Sequence, residues 1–277
     1  MPGRRRAQSA PVASSLMGPM VWLRADYEFP STFSYRMPKV SAQFAIGSPI
    51  PSPATVKLAL VDTAIRWSGN VDEGRRIFDL IKTAKVCAVP PPRMVRFRAF
   101  IKRLKPNEVV ACPNHPAYTV SAKLGKDKRS ECPYCGTIPQ LKISTLEEST
   151  GVRDYFLLDG PLSVFIEVPA YGVGDIDTLL RRVRRFGTSD SLCYCICVVK
   201  GKPPTENLLP RTFGATTSAG AGGFVSLLAD LTAHSQFDGF NPFGGDEKLA
   251  KQDIRPYILA LTVRRSGETW AILERIG

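Results

Sequence analysis

The sequence predicts an α+β fold: a sandwich of the ferredoxin type, with helices on one face of a sheet, an inserted metal-ligand segment and a smaller β-rich part towards the C-terminus. Three observations predict it. Residues 155–200 read as strand, helix, strand, the order that builds such sandwiches. The helix that follows Ser52 carries so few charges that most of its circumference must be buried. Finally, Cys112, His115, Cys132 and Cys135 form two ligand pairs, each with a two-residue spacer.

Size and charge bound the function. A chain of 277 residues with 44% hydrophobic side chains can bury a proper core. Its net charge of +12 calls for a polyanionic partner, and nucleic acid is the first candidate. Residues 1–18, with Arg4-Arg5-Arg6 and Pro11, read as a basic disordered tail rather than a secretory leader, because no small-residue cleavage site follows. No apolar run approaches the eighteen or so residues a membrane helix needs. Cys193, Cys195 and Cys197 alternate along an apolar run, which predicts small core side chains on one strand face and a chain suited to a reducing cytoplasm.

The elements follow in order. Residues 20–29 form a strand with Val21, Leu23 and Ala25 on one face. Ser52 stands at an N-cap and Pro53 at the first helical position, ahead of a core helix through Ile65. A second helix starts after Asn70 and turns Ile77, Phe78 and Ile81 inward. Pro90-Pro91-Pro92 leads into a basic strand over residues 94–105, whose alternation shifts phase at Phe100. Residues 155–169 read as two short strands about Asp159-Gly160. Asp175 caps an amphipathic helix that Gly187 ends, and a strand over 192–200 follows. A glycine-rich loop over 214–223 lacks the Gly-Lys-Ser/Thr ending of a phosphate-binding loop and precedes a helix over 224–233. Residues 255–265 and 268–274 close the chain as a hairpin. The domains read as 19–108 with 141–200, an insertion over 109–140, and a β-rich part over 201–277.

The paired ligands have the spacing of a closed tetrahedral Cys3His zinc site, formed by Cys112, His115, Cys132 and Cys135. Residues 116–131 between the pairs are polar and basic, so a metal would have to fold them. Catalytic zinc needs an open position, and all four ligands are used. A zinc deaminase is excluded because Ala117 stands where His-x-Glu would require Glu, and a His-Asn-His nuclease because the chain has only His115 and His234. The zinc is therefore structural.

From residue 93 to 129 there are ten Lys or Arg against two acids, so most of the net charge sits in one stretch. Phe97, Phe100, Tyr118 and Tyr134 are interleaved with it and could stack on unpaired bases. Lys102, Lys105, Lys123 and Lys126 are candidate phosphate contacts in this stretch.

Phe33-Ser-Tyr-Arg36, the turn Pro51-Ser-Pro-Ala-Thr55 entering the buried helix, and Leu158-Asp-Gly-Pro-Leu-Ser-Val-Phe-Ile166 followed by Phe186-Gly-Thr-Ser-Asp-Ser191 resemble the Cas-five family of CRISPR proteins. The resemblance covers about two thirds of the chain and leaves out the tail and the zinc segment. It implies an RRM-like sandwich of the RAMP type whose role is to cap the 5′ handle of a guide RNA. The implied partners are the guide RNA, the backbone and large subunits of the effector complex, and target DNA in the assembly. The matching RNA-binding positions are Tyr35, Arg36 and Lys39, with Arg96, Arg98, Lys102 and Arg103. The zinc segment falls where the family projects a thumb. Some members cut precursor RNA without metal by Tyr, Lys and His side chains, but that set does not map here: His115 is a metal ligand, and His234 is expected on a helix among apolar residues. No catalytic activity is expected. A zinc-ribbon RNA-binding protein unrelated to CRISPR is the alternative reading.

Overall fold

The computed structural model describes residues 18–39, 44–187, 190–204, 209–212, 223–241 and 250–276. The N-terminal tail through residue 17, residues 214–222 of the glycine-rich loop, and Thr188 and Ser189 lie outside the described residues. The elements in chain order are β1 (Met20–Glu28), β2 (Tyr35–Arg36), β3 (Phe44–Ala45), β4 (Gly47–Ser48), α1 (Pro53–Ser68), α2 (Val71–Ile81), β5 (Val86–Val89), β6 (Arg93–Ala111), β7 (Thr119–Ser121) and β8 (Leu141–Asp159). They continue with β9 (Leu162–Pro169), α3 (Val173–Arg182), β10 (Tyr194–Lys200), β11 (Arg211–Thr212), β12 (Phe224–Leu231), β13 (Gln252–Leu259), β14 (Leu261–Ser266) and β15 (Trp270–Arg275). The chain divides into two compact units: Ser41–Ala45 with Ala99–Arg153, and the remainder.

The larger unit is built on an antiparallel sheet in the order β10-β1-β9-β5. Leu23, Ala25 and Tyr27 of β1 are buried, as their alternation predicts. The Tyr27 hydroxyl donates to the Leu180 carbonyl at 2.8 Å, which ties β1 to α3. Ser52 caps α1 by accepting the Thr55 N–H at 3.1 Å, and Asn70 caps α2 through the Asp72 N–H at 2.9 Å. The two helices approach closely at Gly74, where a Cβ would overlap the Ile65 side chain. A second sheet, β11-β13-β12, is antiparallel, and β12 packs against α1.

In the smaller unit β6 and β8 run side by side, β7 pairs with the end of β6, and β3 lies parallel to β8. Most of this unit is two-stranded, so its side chains have little to pack on: Phe100 is 87% exposed and Leu146 65%.

Several expectations are corrected. Residues 224–231 form β12 rather than a helix, because the run also carries a period of two and finds a partner in β13 along its whole length. His234 consequently sits on an exposed turn, not on a helix. Asp175 does not cap α3. The helix begins at Val173, which puts Asp175 in the first turn, where it receives Arg76 at 2.8 Å. Nor does Gly187 end it: α3 stops at Arg182, because the residues after it pair back, with Arg185 bridging Leu192. Residues 255–265 are divided between β13 and β14, so the closing hairpin is β14 with β15. The three alternating cysteines do not share a face. A bulge at Ile196 of β10 sets Cys195 opposite Tyr27 but Cys197 opposite Asp26, to whose carboxylate the Cys197 thiol donates at 3.5 Å.

Candidate metal centre and basic surface

The metal-ligand residues lie where β6 ends and before β8 begins. Cys112 follows directly on β6, and its N–H donates to the Tyr118 carbonyl at 3.0 Å while the Tyr118 N–H donates to that of His115 at 2.9 Å. This folds the first pair into a tight loop. In the second pair the N–H groups of Cys135 and Gly136 both donate to the Cys132 carbonyl, at 3.3 and 2.8 Å, and Cys132 in turn donates to Thr137 at 3.1 Å. Gly136 has φ 66°, a left-handed conformation that costs a residue with a Cβ about 1–2 kcal/mol.

These two loops bring one ligand atom from each of Cys112, His115, Cys132 and Cys135 to within 4.8 Å of one another, a cluster that can hold a metal ion. Cys112 Sγ is 3.5 Å from Cys135 Sγ, and Cys132 Sγ is 3.6 Å from His115 Nδ1. Cys112 and Cys132 are buried and Cys135 is exposed. Hydrogen bonds from the Thr137 side chain and N–H draw the Cys135 thiol down to about 5, whereas burial pushes that of Cys112 up. The Tyr134 ring, 75% exposed, sits 5.3 Å from that of His115.

The remaining predicted site residues are dispersed. Tyr35 is buried against the Phe33 ring at 4.7 Å, so its ring is a core group, while Arg36 and Lys39 are exposed. Arg96 and Arg98 both reach the carboxylate of buried Asp154, each at 3.1 Å, and that carboxylate also accepts the Gly47 N–H at 3.2 Å. Their guanidinium groups neutralise a buried acid within the fold. Sequence reasoning missed Asp154, since only the alignment of β6 beside β8 brings residues so far apart together. It also missed Cys87, a half-buried thiol that burial raises to about 12, and Gly136, whose signal was the glycine directly after the second ligand pair.

In the smaller unit Lys102, Lys123 and Lys126 are exposed; of Arg103 and Lys105 only the backbone is described, in β6. The expected phase shift at Phe100 does not occur. Phe100, Lys102 and Leu104 alternate onto one exposed face because no second layer covers it to reward a change of phase.

Fold and site together define a basic α+β protein with a metal-ligand cluster joining two long strands. No protein-family model matches the chain. Over 262 residues it is 29% identical to the CRISPR-associated protein Cas5 of Archaeoglobus fulgidus, a match that takes in 92% of this chain and 99% of that one. That relative bears the name of the family that the sequence resemblance pointed to. Two solved structures are similar at low scores. One is a CRISPR protein from Archaeoglobus fulgidus, with TM-score 0.39 and 11% identity over 93% of this chain and 92% of that one. The other is a chain of a CRISPR RNA-guided surveillance complex, with TM-score 0.32 and 13% identity over 86% and 88%. Both superpose too loosely for any residue's role to be carried across.

Proposed function

We propose that this chain is a non-catalytic subunit of a CRISPR effector complex that binds guide RNA, caps its 5′ handle and contacts the backbone and large subunits while the assembly targets DNA. The observation that carries this reading is the identity to Cas5 along nearly the full length of both chains. The larger unit supports it. Its first sheet is connected as strand, helices, strand, strand, helix, strand in the order β10-β1-β9-β5, the arrangement of a ferredoxin-like or RRM-like sandwich of the RAMP type. Exposed Lys102, Lys123 and Lys126, with exposed Phe100 and Tyr134 in the same unit, suit phosphates and unpaired bases. Such a subunit works in the prokaryotic cytoplasm; among the described residues no helix is long and apolar enough to cross a membrane.

The metal is zinc and its role structural. With Zn–S near 2.3 Å and Zn–N near 2.0 Å, a tetrahedral ion needs S···S of about 3.8 Å and S···N of about 3.5 Å. The pairs at 3.5 and 3.6 Å suit that spacing. Three cysteines and one histidine leave no open coordination position, and the ion would hold residues 109–140 as a thumb-like projection.

Sequencing the RNA that copurifies with the chain tests the function. Short repeat-derived guides are expected, and ribosomal or transfer RNA would instead favour a zinc-ribbon RNA-binding protein. The absence of catalysis has its own test: purified protein without added metal should leave a repeat RNA intact. Cleavage abolished by His234→Ala would make it an endoribonuclease.

A further inference from the structure

The larger unit holds a second basic recess, away in sequence from the β6 stretch. The last turns of α1, the C-terminal residue of α3 and the residues following it line a cavity of about 420 Å³ with Asp62, Arg66, Trp67, Arg182, Arg184 and Arg185. Four guanidinium groups face one carboxylate. Asp62 accepts from Arg66 at 2.8 Å and lies 3.5 Å from Arg185, so its charge is already shared. Arg182 and Arg184 reach only carbonyl oxygens: Arg182 that of Thr178 at 3.1 Å, Arg184 those of Arg181 and Val183 at 3.2 and 3.5 Å. Among the described residues neither is paired with a carboxylate. The recess therefore keeps an uncompensated positive charge.

Trp67 stands at its wall, 66% exposed, with the Arg182 guanidinium stacked 3.9 Å over its ring. An indole this large leaves an apolar face in water unless something covers it. A planar base against Trp67 with its phosphate among Arg182, Arg184 and Arg185 satisfies both features at once. An acidic protein segment would satisfy the charge alone.

We propose that this recess binds one nucleotide of a single-stranded nucleic acid, with the base stacked on Trp67 and the adjoining phosphate held by Arg182 and Arg184. The proposal rests on the RNA-binding reading above and adds to it a contact on the sandwich itself. The measurement is fluorescence anisotropy of the full-length protein with a labelled single-stranded RNA across a salt series. Arg182→Ala with Arg184→Ala should weaken binding about tenfold and lower the salt slope by about 0.7 for the one phosphate lost. Trp67→Ala should weaken binding about tenfold for an ordinary oligonucleotide and leave an abasic one unaffected. Ultraviolet crosslinking of the unmutated protein should attach the RNA to the peptide containing Trp67, which guards against a folding defect in the variants. Lys123→Glu with Lys126→Glu serves as the separate arm. If that variant weakens binding while the recess variants do not, and Trp67 does not crosslink, this proposal is overturned, the recess is left to an acidic protein surface, and the RNA-binding reading stands. If the full-length protein binds no RNA at all, both fall.

Discussion

At the scale of single residues, the stretch richest in positive charge is not uniformly available to a ligand. Arg96 and Arg98 spend their charge on Asp154, which is 1% exposed and accepts a third hydrogen bond from the Gly47 N–H. A buried carboxylate held by two guanidinium groups is costly to disturb from one side only. Asp154→Ala should cost about 3 kcal/mol of unfolding free energy in urea, because it strands the Gly47 N–H and two partly buried cations. Arg98→Ala should cost about 1 kcal/mol, since its side chain is 41% exposed and Arg96 stays to pair the acid. Equal costs would mean that the acid is not the organising group. The family resemblance implied RNA contacts for these arginines, and a sequence shows their charge but not the partner that a neighbouring strand supplies.

Among elements, the starts of α1 and α2 were legible, as were the strands β1, β9 and β10, whereas the start of α3 and the type of residues 224–231 were not. Ser52-Pro53 and Asn70 announce α1 and α2 by local chemistry, since a cap acts within three residues of itself. The character of residues 224–231 depends on β13, which begins some twenty residues later, and no local signal carries that. The same strand shows why α1 could hide a lysine. Lys57 is fully buried and donates to Asp230 of β12 at 2.6 Å and to the Lys82 carbonyl at 3.0 Å. Burial pushes the Lys57 amine down and the Asp230 carboxyl up, and each is opposed by the charge of the other. Asp230→Ala leaves an ammonium in the core and should cost about 3 kcal/mol. Lys57→Met keeps the length, leaves an acid that is one third exposed, and should cost distinctly less. Thermal unfolding of the two variants in parallel would reverse this order if Lys57 contributed mainly by its charge. That Cys112, His115, Cys132 and Cys135 cluster was legible, because the two-residue spacing within each pair is itself the local structure that folds them.

For the whole molecule, a metal in the ligand cluster would do for the smaller unit what a core does for the larger. Among the described residues the larger unit has three α-helices and its sheets to bury apolar surface, whereas the strand pair β6 and β8 leaves Phe100, Leu104 and Leu146 exposed. Metal affinity worth on the order of 10 kcal/mol is enough to fold a small unit of this kind. Cys132→Ser should therefore release the ion, measured as metal content per chain, and open residues 112–140 to protease while the larger unit melts as before; loss of both together would mean that the cluster belongs to the common core. The Gln140 N–H donates to the Ala111 carbonyl at 3.1 Å, so the two strands meet across a loop as long as the whole metal segment. Bringing the ends of such a loop together costs about 3 kcal/mol of chain entropy before any strand hydrogen bond forms. A short hairpin turn would make that closure in microseconds. With the proposed zinc site the ion would have to arrive first, so the refolding rate of the smaller unit should rise with free zinc and stall in chelator.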